Sequence, residues 1–284
     1  MKLEVLDSLS LAGNPEKANE DAFAHRERAA IVLDGATGLG EKLMPGPSDA
    51  AWLSRFAANR LMAYIGEGAD AREAVAAALF DAQTAFGQLQ RRAPVETYEM
   101  PFASMMLAVL DDGALDFAWY GDCAALIGRP AQSVEIVGEA LAKRRREGDR
   151  VRALATSTGE QAAAPGIREV FLPALRAMRN LVNTPRGGWL FGPDVTAADH
   201  VEQMRTEISA GTHLLLVTDG FLALASDYAR YTIDTLFDAA KNAGLAALGR
   251  ELRAIEDADP EGRQFPRFKK SDDATALLLK VAED

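Results

Sequence analysis

The sequence predicts an α+β domain, and three observations support this fold class. Short apolar segments are joined by tight turns, as between residues 103–110 and residues 115–120. Helical periodicity occurs in two consecutive blocks, residues 49–66 and 70–92, instead of alternating with single strands. The sequence has no repeat and no low-complexity linker. We therefore expect residues 1–284 to form a single domain.

Each helical block carries one apolar stripe, which predicts a helix with one buried face. The stripes consist of Trp52, Phe56, Leu61 and Ile65 in the first block and Val75, Leu79, Phe86 and Leu89 in the second. Asp70, followed three residues later by Glu73, is typical of a capping box at a helix start. The two helices are expected to pack as an antiparallel pair over one face of a sheet.

Acidic residues stand at the ends of three predicted strands. These are residues 29–33 before Asp34, residues 213–218 before Asp219, and residues 274–281 after Asp272. A strand end fixes the direction of a carboxylate, and carboxylates that converge repel one another unless protons or cations neutralise them. Carboxylates are the ligands that suit Mg²⁺ and Mn²⁺. The pattern therefore predicts a divalent metal site, although a single Asp-Gly after a strand is usually only a turn.

Composition excludes several other classes of protein. A formal net charge of -11 disfavours binding to nucleic acid or to an anionic membrane. The single cysteine excludes an intrachain disulfide framework and a thiolate zinc site. No stretch approaches the roughly 20 apolar residues of a membrane span, and residues 1–10 lack the apolar segment of a signal peptide. A cytoplasmic location is the expectation.

The order of the acidic segments indicates a family. The segments are Asn19-Glu20-Asp21-Ala22, Val32-Leu33-Asp34-Gly35, Gly121-Asp122, Thr218-Asp219-Gly220-Phe221 and Ser271-Asp272-Asp273-Ala274-Thr275. Together, over residues 13–281, they make the chain resemble the PPM-type, metal-dependent protein serine/threonine phosphatases (protein phosphatase 2C family). The resemblance implies an αββα sandwich of two antiparallel sheets flanked by helix pairs. It also implies hydrolysis of phosphoserine and phosphothreonine in a phosphorylated protein substrate, by a water that two metals activate.

The resemblance assigns the metal ligands residue by residue. Asp34 would bridge two Mg²⁺ or Mn²⁺ ions, and the Gly35 carbonyl would bind one of them. Asp219 and Asp272 would bind the other ion. Asp122 occupies the position of a family Gly-Asp-Ser motif and would contact a third, more weakly held ion.

Glu20 and Asp21 would act mainly through metal-bound waters. The family places a phosphate-binding arginine shortly before this acidic pair. Here Lys17 is the nearest cation, offset by about one residue, so its interpretation as a substrate-binding residue stands beside that of an exposed surface lysine.

Three further positions depart from the family pattern. Ala36 stands where many eukaryotic members have a histidine, Ala223 replaces a further aspartate, and Asp273 replaces an asparagine. The added negative charge of Asp273 is expected to alter metal affinity. These departures keep open a second function, a catalytically weak or inactive pseudophosphatase that binds a phosphoprotein or a regulatory partner.

Two other phosphatase chemistries are disfavoured. Cys123 and Arg129 have the spacing of cysteine-dependent phosphatases, but the residues between them read as an apolar strand, and Asp122 would raise the thiol pKa. Leu33-Asp34-Gly35 is similar to the nucleophile loop of haloacid-dehalogenase phosphatases, yet no second carboxylate lies two residues from Asp34.

Two groups of basic residues remain. The run at residues 143–152 is interpreted either as a solvated helix face or as a docking surface for an acidic partner. Arg263, Arg267, Lys269 and Lys270 precede Asp272 and are expected at the rim of the acidic cleft. There they would either steer phosphate or offset the local negative charge.

Overall fold

Ten strands form two antiparallel sheets within the parts of the chain that the computed structural model describes, residues 1–142, 167–267 and 269–283. Of residues 167–170 only the backbone is described. The first sheet consists, in order, of β1 (Lys2–Leu11), β10 (Ala274–Ala282), β9 (His213–Val217), β6 (Ala124–Gly128) and β7 (Glu135–Val137). The second sheet consists of β2 (Ala22–Arg26), β3 (Ala29–Ala36), β4 (Phe102–Asp111), β5 (Ala114–Tyr120) and β8 (Glu202–Glu207).

Six α-helices lie in the described ranges, and five of them cover the outer faces of the sheets. The six are α1 (Asp49–Gly66), α2 (Ala71–Leu89), α3 (Ile167–Arg179), α4 (Asp219–Ser226), α5 (Ile233–Ala243) and α6 (Leu245–Ala258). The pair α1 and α2 packs on the second sheet, and α4, α5 and α6 pack on the first. No helix in the described ranges combines the length and the apolar character needed to cross a bilayer.

Alternate residues of the central strands face different layers. In β3, Ile31 and Leu33 pack against α1 and α2, whereas Ala30 and Val32 pack between the two sheets. Strand β9 divides in the same way, with one set of side chains under α4, α5 and α6 and the other set between the sheets. The layers are therefore helix, sheet, sheet and helix, so the predicted αββα sandwich is confirmed.

Burial on both faces explains why the central strands appear in the sequence as unbroken apolar runs. All residues from Ala29 to Leu33 are buried. The edge strand β1, by contrast, has mostly half-buried residues alternating with exposed ones. The difference in pattern between central and edge strands follows from whether one or both faces meet another layer.

The helix starts are fixed by side-chain caps. Ser48 accepts a hydrogen bond from the Ala51 N–H at 3.2 Å at the start of α1. At the start of α2, the Glu73 N–H donates to Asp70 Oδ1 at 2.8 Å, and the Asp70 N–H donates to Glu73 Oε2 at 3.2 Å. The predicted capping box is thus present, although α2 ends at Leu89 and not at residue 92.

The apolar run at residues 188–191 forms no strand in this described region. Only Phe191 pairs there, exchanging two backbone hydrogen bonds of 3.0 and 2.8 Å with Ala103 in β4. Pro193 lies two residues further along and has no N–H to donate, so the ladder does not continue. The apolar run instead brings one loop against the start of β4.

Replacing Asp70 by Ala should lower the free energy of unfolding by about 1 kcal/mol, because the Glu73 N–H loses its acceptor. Urea unfolding followed by circular dichroism measures this change. Gln88→Ala, at an exposed position in the same helix, is the matched control and should change stability by less than about 0.5 kcal/mol. Equal effects of the two variants would show that the capping box contributes nothing specific.

Candidate functional site

The structure brings four of the predicted acidic residues to one cleft at an edge of the sandwich. Asp34, Asp122, Asp219 and Asp272 all line this cleft, which has a volume of about 720 Å³ and which we call the acidic cleft. Asp34 lies near the end of β3, Asp219 begins α4 directly after β9, and Asp272 shortly precedes β10. The strand ends therefore converge as the sequence pattern predicted.

Asp34 lies at the centre of this charge. It keeps some exposed surface on the cleft, but protein atoms surround it. Burial raises the pKa of Asp34 well above its usual value, and the charges of Asp219, Asp21, Asp272 and Asp122 raise it further. A carboxylate in such surroundings holds a proton unless a cation compensates the repulsion.

Asp21 is the most enclosed carboxylate of the group, with 4% of its surface exposed. Its Oδ2 accepts a hydrogen bond of 2.9 Å from the Thr218 hydroxyl, whereas its Oδ1 has no hydrogen-bond partner among the described residues. Burial is the main reason that the pKa of Asp21 is raised; the Thr218 hydrogen bond opposes it, and the charges of Asp272 and Asp273 add to it. A buried carboxylate oxygen without a partner is costly, and a cation would satisfy it.

Glu20 lines an adjoining cleft of about 1050 Å³, which Asp34 does not line. Its two carboxylate oxygens accept hydrogen bonds from the hydroxyls of Thr37, at 2.6 Å, and Ser48, at 2.5 Å. Gly35 lies beside it, and a Cβ there would come within 2.6 Å of the Glu20 carbonyl oxygen. Only glycine permits this approach of β3 to the loop that carries Glu20.

The start of α4 is pressed against the segment before β10. Asp219 is 8% exposed and occupies the first turn of the helix after Thr218. A Cβ on Gly220 would lie 1.9 Å from the Asp273 carbonyl oxygen, so the glycine of the Asp219-Gly220 motif is required for close packing. The Asp219-Gly220 and Asp272-Asp273 segments are therefore in close backbone contact.

Asp272 is held from two sides. Its carboxylate forms an ion pair with the ammonium of Lys269, and its carbonyl accepts a hydrogen bond of 2.8 Å from Arg253 in α6. Arg253 also donates to the Leu11 carbonyl at 3.2 Å and pairs at 2.7 Å with the buried Glu256. This guanidinium links α6, the end of β1 and the segment before β10.

The other three cations of the predicted rim have acidic partners outside the cleft. Arg267 pairs with Asp259 at 3.0 Å, Lys270 with Asp257 at 2.5 Å, and Arg263 with Glu261 at 2.6 Å. Of the rim group, Lys269 is the residue whose ammonium pairs within the acidic cleft.

Asp273 acts as a backbone clamp. Its two carboxylate oxygens accept hydrogen bonds from the Gly13 N–H, at 2.7 Å, and from the Glu20 N–H, at 2.6 Å. An asparagine would present its NH₂ group to one of these donors, so the aspartate is needed to accept both. The sequence suggested only an effect on metal affinity, because the two donors lie 260 and 253 residues away along the chain.

The two remaining predicted site residues lie on different clefts. Asp122 accepts a hydrogen bond of 2.6 Å from Ser104 and faces Asp34 across the acidic cleft. Lys17 lines the adjoining cleft with Glu20, so the structure does not place it with Asp34. The two clefts share Thr37, Lys269 and Asp272 among their lining residues.

Sequence reasoning missed one wall of the acidic cleft. It is formed by the end of α3 and the loop that follows, with Leu175, Met178, Arg179, Leu181, Val182, Arg186, Trp189 and Leu190. Mixed apolar and arginine side chains in a loop carry no motif, so only the folded chain shows that they face the carboxylates. The wall combines apolar surface with positive charge opposite an acidic floor.

The Cys123 thiol is unsuited to nucleophilic chemistry. Cys123 is fully buried, and burial, with the charges of Asp34 and Asp122, raises the pKa of its thiol. A buried thiol of raised pKa is a poor nucleophile, which agrees with rejecting the cysteine-phosphatase chemistry. The basic run at residues 143–152 lies outside the described residues.

The donor set fits divalent cations in its chemistry. Asp34, Asp219 and Asp272 supply carboxylate oxygens, and Asp21 supplies a buried oxygen that lacks a partner. As the side chains stand in the described residues, no three acidic, histidine or cysteine groups enclose a metal position. These side chains would therefore have to rotate before they could enclose an ion together.

Comparison with protein-family models and with curated proteins gives no match to this sequence. Solved structures do match its fold. The serine/threonine phosphatase PstP/Ppp of Mycobacterium tuberculosis has a TM-score of 0.58 and 14% identity, covering 100% of both chains. A PstP catalytic domain in complex with two manganese ions gives 0.55 and 15%, covering 99% of each chain.

The PPM Ser-Thr phosphatase MsPP of Mycobacterium smegmatis, in complex with cacodylate, gives a TM-score of 0.55 and 18% identity, covering 98% of this chain and 99% of that one. At these identities the likeness is one of fold. The near-complete coverage of both chains agrees with a likeness over the whole fold of two antiparallel five-stranded sheets flanked by helices. The chain thus has the fold of the PPM-type serine/threonine phosphatases, as the resemblance of its motifs implied.

Proposed function

We propose that the protein is a metal-dependent phosphomonoester hydrolase that acts on phosphoserine and phosphothreonine in proteins. The observation that carries the proposal is the convergence of Asp34, Asp219 and Asp272 at one cleft. The buried Asp21, whose Oδ1 has no hydrogen-bond partner among the described residues, lies near enough for its charge to act on Asp34. The fold supports it, since PstP and MsPP are serine/threonine phosphatases and one PstP structure holds two manganese ions.

The proposed metal ligands are Asp34, the Gly35 carbonyl, Asp219 and Asp272, with Asp122 beside a third and weaker position. Two Mg²⁺ or Mn²⁺ ions held there would acidify a water and stabilise the charge that develops on the phosphoryl oxygens. The remaining requirements fall on the protein, which has to fix these carboxylates, admit the phosphate and keep bulk water away.

Fixing the carboxylates is the role of residues behind them. Thr218 donates to Asp21, Ser104 donates to Asp122, and Arg253 holds the backbone of Asp272. Such outer partners orient ligands and tune their affinity for a metal. Each hydrogen bond ties one acidic residue to a different part of the sandwich. The acidic residues therefore keep their positions despite their mutual repulsion.

The cleft wall formed by the end of α3 and the following loop would bind the phosphate group as it enters. Arg186 brings positive charge to the acidic cleft, and Leu175, Met178 and Leu190 supply apolar surface beside it. An apolar wall excludes water from the reacting group, and a guanidinium attracts a phosphate dianion. A phosphorylated side chain carried on a polypeptide fits this combination better than free phosphate does.

A second candidate function is a pseudophosphatase that binds phosphoprotein without hydrolysis. The ion pair between Lys269 and Asp272 favours it, since a lysine already occupies one proposed ligand, and Ala36 offers no acid for the leaving group. The test is release of phosphate from a phosphothreonine peptide by the pure protein with Mn²⁺. Release that EDTA abolishes would exclude the pseudophosphatase hypothesis.

Replacing Asp219 by Asn should reduce Mn²⁺-dependent hydrolysis of a phosphothreonine peptide by about 100-fold or more, because a charged ligand becomes a neutral one. Asp238→Asn, on the exposed face of α5, is the matched control and should keep full activity. Thermal unfolding checks that both variants are folded. A folded Asp219→Asn protein with undiminished activity would contradict the assignment.

The metal-free protein should become more stable as the pH is lowered towards the ordinary range of carboxylates. Folding raises the pKa of Asp21 and Asp34, so the folded state binds protons that the unfolded chain releases. This stabilisation is complete below the unfolded pKa of about 4 and is lost as the pH rises through the raised folded values. The unfolding temperature in EDTA, between about pH 5.5 and about pH 7.5, measures it.

In Asp21→Asn the change of unfolding temperature with pH should be smaller than in wild type, since one titrating group is gone and the repulsion on Asp34 is relieved. Asp238→Asn, which removes an exposed carboxylate, should follow the wild-type profile. Parallel profiles for all three proteins would mean that the buried carboxylates do not titrate in this range.

A further inference from the structure

Lys269 differs from the other basic residues near Asp272 in the partner that its ammonium contacts. Its ammonium forms an ion pair with Asp272, and the side chain lines both the acidic cleft and the adjoining cleft. Its neighbours Lys270, Arg267 and Arg263 pair with acidic residues elsewhere. Lys269 is thus set apart from the rest of the basic rim.

Lys269 carries a positive charge at the acidic cleft. A lysine is a cation at neutral pH, and this ammonium is in ion-pair contact with Asp272 at a cleft that Asp34 and Asp219 also line. The lysine partly offsets the repulsion that would otherwise fall on Asp34.

We infer that Lys269 is an internal counter-cation that competes with the first divalent ion for Asp272 and so sets the metal affinity of the acidic cleft. The inference rests on the proposed metal site. An ion that binds Asp272 has to displace the ammonium, and an ammonium that stays nearby repels the ion. Both effects weaken binding relative to a cleft without the lysine.

The Lys269 side chain can separate from Asp272 without leaving its ammonium buried and unpaired. Its exposed fraction is 46%, and it borders the larger adjoining cleft, where it would be solvated. Exchange between ammonium and divalent ion therefore needs a change of side-chain torsions and no movement of a strand. Displacement would leave a cation at the mouth of the site, beside the place where a phosphoryl group enters.

The experiment compares Lys269→Met with Lys270→Met. The second variant removes an adjacent lysine that pairs with Asp257 and is a matched control. Isothermal titration of each metal-free protein with Mn²⁺, without substrate, measures the affinity directly. Lys269→Met should bind the first ion about tenfold more tightly than wild type, the effect of losing one charge-assisted hydrogen bond that opposes binding. Lys270→Met should bind like wild type.

Stability provides an independent readout. In EDTA, Lys269→Met should unfold at a lower temperature than wild type and Lys270→Met, because the carboxylates lose their internal cation. Saturating Mn²⁺ should remove that difference. Lys269→Arg, which keeps the charge, should retain an affinity within about threefold of wild type. Lys269→Gln, which removes the charge but stays polar, should bind more tightly than wild type, and it tests the inference if the Met variant does not fold.

The outcomes separate this inference from the proposed function. If wild type binds Mn²⁺ and Lys269→Met binds it equally or more weakly, the competition is disproved and the metal site stands. If no variant binds Mn²⁺ at millimolar concentration, both the metal site and the competition are disproved.

Discussion

The repulsion among carboxylates gathered at one edge of the sandwich is the constraint on which the rest of the site depends. Asp34, Asp219 and Asp272 reach the same cleft because three strand ends converge there. Without compensation such a cluster would push the strand ends apart or take up protons. The surrounding structure supplies attachment points that resist this separation, and Lys269 supplies charge of the opposite sign.

These attachment points lie behind the carboxylates and not among them. Asp273 accepts hydrogen bonds from two backbone N–H groups in the loop between β1 and β2. Arg253 donates hydrogen bonds to the carbonyl groups of Leu11 and Asp272. At Gly220 the backbones are so close that any side chain would collide. The backbone that carries the acidic residues is thereby held in place, which suits the metal site proposed above.

The sequence was sufficient for features that depend on local pattern and insufficient for those that depend on distant partners. Asp34, Asp219 and Asp272 could be found because each adjoins an apolar run, and their order along the chain indicated the fold. The ion pair of Lys269 depends on the path of an irregular loop, for which periodicity gives no signal. The clamp at Asp273 was missed because both of its donors come from the opposite end of the sequence.

The clamp at Asp273 also determines when the site can form during synthesis. Residues separated by 260 positions, Gly13 and Asp273, meet in it, and β1 pairs with β10, the first strand with the last described one. A growing polypeptide on the ribosome would hold Asp21 and Asp34 for most of its synthesis without the segment that anchors them. Assembly of the acidic cleft would then be one of the last steps of folding, and a prematurely terminated chain would carry the acidic motifs without the assembled cleft.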